Sequence, residues 1–129
     1  MPLTTAGTEV ENYIEYDLER NGYNVETQVP SAGINQDWSR IDIVLVGETG
    51  SEAISLKYQD VPGTAEEKLL YEAHNLSLMC YAHNYKGTIV LCGTGWSPVK
   101  YYWFLNEYQP PLNVRIISYD EFVQEYIVN

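Results

Sequence analysis

The sequence predicts an α/β domain in which a mixed sheet carries helices on its faces. Three observations lead there. Helical periodicity opens the chain, closes it and fills residues 64–84. Residues 40–46 and 52–59 flank the short turn GETGS, the spacing of an antiparallel hairpin. Residues 88–92, TIVLC, are an unbroken apolar run, as expected of a strand covered on both faces. The order is α-β-β-β-α-β, then an ambiguous segment, then β-α. At 129 residues the whole chain, 1–129, reads as a single domain, large enough to bury a core without disulfides or a structural metal.

The first helix runs from a cap at Thr5 or Thr8 to about residue 21. Val10, Ile14 and Leu18 recur one turn apart, and Gly22 supplies the stop. Glu9, Glu15, Asp17 and Glu19 crowd its exposed side as a solvated face. Residues 23–30 alternate as a strand, and residues 31–39 read as a loop from their Gly, Asn, Asp and Ser content. The hairpin follows, then a DVPG turn at 60–63. Thr64 and Glu67 form a capping box for the long helix, whose apolar stripe is Leu69, Ala73, Leu76 and Cys80. GTGWSP is a loop, and residues 100–108, KYYWFLNEY, suit either a strand or a short helix. QPPLN breaks the chain before a strand at 114–118 and a closing helix at 119–128.

Composition narrows the function. Cys80 and Cys92 lack the spacing of a zinc or redox motif and read as small buried hydrophobes. His74 and His83 match no metal spacing. No apolar run approaches the ~20 residues that span a membrane, and MPLTTAGTE lacks the basic and apolar regions of a signal peptide. The expectation is a cytoplasmic protein without a membrane partner. A net charge of −11 with only seven Lys and Arg argues against a stand-alone, tight DNA binder. It leaves room for an enzyme whose metal ion neutralises its site, or one that gains affinity through assembly.

The hairpin carries the chemistry. Alternate strand residues share a face, so Ser55, Lys57 and Gln59 point one way while Ile54, Leu56 and Tyr58 point to the core. On the preceding strand Asp42 faces opposite to Ile41, Ile43 and Leu45. An acid and a lysine on neighbouring strands suit phosphodiester hydrolysis. There a carboxylate-held metal stabilises charge and acidifies a water, and a lysine positions that water or the transition state.

With Glu11 on the first helix, Asp42 on a strand and S-x-K at 55–57 on the next, the chain resembles the PD-(D/E)XK nuclease superfamily, which includes restriction endonucleases and Holliday-junction resolvases. The opening GTEVENYIEYDLERNGYNV looks like the resolvase-type start. The resemblance covers about residues 7–93 and implies a restriction endonuclease-like αβββαβ core. It implies a Mg²⁺-dependent DNA endonuclease, with Mn²⁺ able to substitute. Asp42 and Glu11 would be metal ligands, Lys57 the catalytic lysine and Gln59 an orienting residue. Two departures stand out: Ile41 replaces the motif's Pro, and Ser55 holds the position of the second acid.

A hydroxyl is a weak neutral ligand, so a substitute carboxylate is required. Glu52 has the wrong strand parity and Glu67 belongs to the capping box, which leaves Glu66, at the start of the following helix, as third ligand and catalytic acid. Arg40, Lys68 and Lys100 are candidate phosphate contacts. Trp38 and Trp96 lie in loops, where they could stack on bases or cover core edges. Cutting both strands calls for a homodimer or higher homo-oligomer. The other reading is a catalytically inactive nuclease fold whose acidic surface binds protein or mimics DNA.

Overall fold

The computed structural model describes residues 5–33, 38–63 and 65–127; the side chains of 5–8, 38 and 65 lie outside that description. Helix α1 spans Thr5–Arg20, and strands β1, β2 and β3 span Val25–Ala32, Trp38–Leu45 and Glu52–Tyr58. Helix α2, Ala65–His83, crosses to β4, Lys86–Cys92; α3 is Pro98–Asn106 and β5 is Val114–Ser118. The chain closes with α4, Tyr119–Phe122, which runs on as a π-helical turn over Val123–Ile127. The ambiguous segment is therefore helical. Pro98 enters at its first turn, where a missing N–H costs nothing, and Phe104 turns inward to the core.

The sheet order is β1-β2-β3-β4-β5. The first two pairings are antiparallel, and β3-β4 and β4-β5 are parallel. One face is covered by α2 and α3, with Leu69, Ala73, Leu76 and Cys80 packing on Val44, Ala53, Ile89 and Leu91. The other is covered by α1 and the C-terminal helix, with Ile14, Leu18, Phe122 and Tyr126 packing on Ile43, Ile54, Leu56 and Val90. Strand β4, covered on both faces, justifies its continuous apolar sequence. Both long helices stop on left-handed residues. Gly22 has φ +89° and Asn84 +58°, and each is followed by an N–H bonded back to the helix, Tyr23 to Leu18 and Tyr85 to Cys80.

The sheet opens at Asp42. Pairing between β2 and β3 runs from Leu45↔Glu52 to Ile43↔Ile54 and no further. Beyond it the Leu56 N–H, with no β2 carbonyl opposite, donates to Asp42 Oδ2 at 2.7 Å. Opposite Asp42 on β1, Gln28 takes φ +52°, a left-handed conformation rare for a side chain of its kind. Side-chain alternation breaks there: Ile43 and Leu45 join the α1-side core, whereas Ile41 joins the α2-side core, contrary to the expectation that all three share a face. The strands splay and leave a cleft.

Candidate active site

The cleft encloses about 930 Å³ between α1, α2 and the diverging strands. Its walls carry Glu11 and Glu15 from α1, Arg40 and Asp42 from β2, Ser55 and Lys57 from β3, and Glu72 from α2. Glu11 shares the inward stripe of α1 with Ile14 and Leu18, and it is only 7% exposed. Its Oε1 accepts from Gln28 Nε2 at 2.6 Å, so the left-handed residue of β1 holds the helix acid in place. Lys57, on the α2 side of β3, stands 3.2 Å from Glu72 Oε2.

Burial pushes the Asp42 carboxyl above its ordinary value, against the pull of the Leu56 N–H and the Lys57 charge, and the negative charge of Glu72 adds to the rise. Burial likewise raises Glu11; Gln28 pulls it down, and the charge of Asp42 raises it further. Two carboxylates that resist ionising, each sensing another acid, make a place where added positive charge is welcome. This donor chemistry fits a hard divalent cation. Among the described residues no three acids or imidazoles already converge on one point. Mg²⁺ asks for less, since it usually keeps several waters and takes one or two carboxylates.

The structure thus brings Glu11, Asp42, Ser55, Lys57 and Arg40 together, and it places other expected site residues elsewhere. Glu66, expected as third ligand, does not line the cleft. It is 7% exposed beside the loop before α3, where Oε1 accepts from the Ser97 N–H and from Gln59 Nε2, and Oε2 lies 3.7 Å from Lys100 Nζ. Gln59, expected as an orienting residue, is buried in this second cluster and donates to the Gly95 carbonyl at 2.9 Å. Its position just past β3 carries it out of the cleft.

Lys100, expected as a phosphate contact, is turned toward Glu66 instead. Trp96 is 8% exposed and donates to the Cys92 carbonyl at 2.8 Å, so it covers a core edge. Lys68 is exposed on α2, away from the cleft lining. The Trp38 side chain and the Thr64 cap lie outside the described residues. Glu52 stands on the α1 side, as its parity requires, accepting from Tyr126 and Thr88.

Sequence reasoning missed Glu72. Helix α2 turns Glu66 inward on the same stripe as Leu69, Ala73 and Leu76. Glu72, with Asn75 and Met79, lies along the margin that faces the splayed strands. Six residues further along, it sits about 9 Å down the helix axis, level with Lys57. One signal was available: Glu72 is the sole acid of α2 beyond its first turn.

A solved structure described as a protein of unknown function, AF1548, matches with a TM-score of 0.55 at 15% identity. The match covers 86% of this chain and 57% of that one, a likeness of fold. No curated protein matches. A family model described as the PD-(D/E)XK nuclease superfamily domain matches residues 3–125. From its helix-flanked mixed sheet to nearly the full length of its sequence, the chain belongs to the PD-(D/E)XK nuclease superfamily.

Proposed function

We propose that the protein is a metal-dependent endonuclease that hydrolyses phosphodiester bonds in DNA. The observation that carries this reading is the meeting of Asp42, Lys57 and Glu72 in one cleft. Asp42 and Glu11 would hold Mg²⁺, or Mn²⁺ in its place. The Leu56 carbonyl, on the same strand edge as the N–H bonded to Asp42, would offer a further oxygen. Bound there, the ion would supply charge stabilisation at phosphorus and lower the pKa of an attacking water.

The chain's own groups do the rest. Lys57 presents its ammonium to the developing negative charge or aligns the water. Glu72 fixes the direction of that ammonium and supplies the carboxylate missing at Ser55. Ser55 hydrogen-bonds Asp42 and lowers its pKa, favouring the ionised ligand. Among the described residues, Arg40 is the other cation of the cleft lining and the candidate contact for a flanking phosphate. Cleavage of both strands of a duplex would engage two copies, in a homodimer or larger assembly.

The test is cleavage of plasmid and branched DNA with Mg²⁺ or Mn²⁺. Lys57→Ala and Asp42→Ala should each lower the rate at least about 100-fold, the scale of losing a charge-stabilising or proton-transferring group. Glu72→Gln should reduce it strongly while Glu66→Gln leaves the chemical step intact. Metal-dependent cleavage that survives both Lys57→Ala and Asp42→Ala would sink the assignment. Absence of both cleavage and metal binding would favour the non-catalytic reading, which the net charge of −11 supports.

A further inference from the structure

On the opposite side of α1 from the cleft lies a second hollow of about 420 Å³. Glu9, Val10 and Tyr13 of α1 form one wall, and Tyr58, Cys92, Gly93 and Tyr119 form the rest. Tyr58 ends β3, Cys92 ends β4, and Tyr119 follows β5 directly. The hollow therefore opens at the carboxyl ends of the parallel strands, where open α/β sheets tend to hold ligands. The proposed nuclease chemistry uses none of these residues.

Its lining is specific in character. Three tyrosines line it together with the apolar Val10 and the buried Cys92. Among the described residues, Glu9 is the only charged one in the lining, and no Lys or Arg joins it. The surrounding field is negative as well: Asp60 and Glu9 act on Tyr58, and Asp17 and Asp120 act on Tyr119. A phosphate-bearing strand would meet these acids and be repelled. Aromatic faces attract cations through their ring quadrupoles, most strongly where water is excluded. The same helix already shows the pairing one turn on, with the Arg20 guanidinium 5.6 Å from the Tyr16 ring centre.

We propose that this tyrosine-lined hollow binds the cationic side chain, arginine or lysine, of a basic segment on a partner protein. Val10 and Cys92 accommodate the methylene stem, the rings face the charged head, and Glu9 with the acids around the rim draws the segment in. A basic segment complements a chain that carries a net charge of −11. This inference is independent of the nuclease reading, because it uses other residues on the other side of α1.

The experiment is an NMR titration of the full chain with N-acetyl-arginine amide, its neutral isostere N-acetyl-citrulline amide, and spermidine. The arginine probe should give saturable shifts centred on the amides of Tyr13, Tyr58, Gly93 and Tyr119. Citrulline amide should bind at least several-fold more weakly. Tyr13 is 63% exposed, so Tyr13→Ala leaves the core untouched and should weaken arginine binding roughly two- to fivefold. Glu9→Gln should weaken it too, and the loss should shrink near 150 mM salt while the tyrosine effect persists. Equal response to citrulline, shifts spread over the acidic surface, or no effect of Tyr13→Ala would overturn the proposal. Tighter binding of spermidine than of the arginine probe would overturn its assignment to a protein side chain.

Discussion

Asp42 sits in the cleft as an acid that its surroundings prefer neutral. Burial raises its pKa, and so does the charge of Glu72. A carboxyl whose native pKa lies above its unfolded one leaves the fold most stable at pH below the unfolded value, near 4. That contribution is lost as pH rises through the native pKa. Asp42→Asn should therefore raise the melting temperature at neutral pH, with the advantage over wild type fading as the pH falls toward 4. Thermal melts across that range check it, and an advantage that grew toward acid would contradict the assignment. Metal binding, which needs the ionised acid, should weaken over the same descent. Cys80 and Cys92, both pushed up to about 12 by burial, stay thiols throughout and take no part.

At the scale of elements, the second acidic cluster becomes a matter of helix anchoring. Ser97, the cap residue of α3, makes no side-chain capping bond; Glu66 reaches across from α2 and accepts from its N–H. Glu66→Ala should cost about 1.5–3 kcal/mol, as for a buried bond to a charged group, read by chemical denaturation. Gly93 should be less tolerant still. At φ +92° an added Cβ would lie 2.3 Å from the Gln59 carbonyl oxygen, so Gly93→Ala should destabilise by about 2 kcal/mol or more.

These elements also show how far the sequence could be read. The hairpin, the buried β4 and residues 114–118 were legible because apolar pattern and turn chemistry agree there. Residues 100–108 were not, since their aromatic run suits a strand as well as a helix until Phe104 is packed. In the cleft, strand parity brings Ser55 and Lys57 to one face with Asp42. Whether Glu66 or Glu72 reaches the cleft turns on how high α2 rides over the sheet, at which the isolation of Glu72 beyond the first turn of α2 only hints.

For the whole molecule, charge sets the terms on which the proposed DNA substrate could bind. Arg40 and Lys57 stand in the cleft, with Lys68 exposed beyond it and Lys100 turned to Glu66. At roughly −0.9 per phosphate contact, the log–log salt slope for duplex DNA should be no steeper than about −4. Fluorescence anisotropy across a salt series measures it, and a slope near −8 would require cations from another copy or a partner. Added salt should also raise the melting temperature by screening self-repulsion.

The bond from the Leu56 N–H to Asp42 has a consequence for which substitutions this fold can absorb. A side chain there stands in for the next backbone rung, so the acid at 42 closes the frayed edge of the sheet as well as facing the cleft. Moving it one position along β2 would turn it to the other face and leave a strand N–H unanswered. Glu72 carries no such duty. It touches the cleft through its ion pair with Lys57 on a helix flank, so its removal would loosen no strand pairing. Of these two acids in the cleft, Asp42 is masonry and Glu72 is furniture.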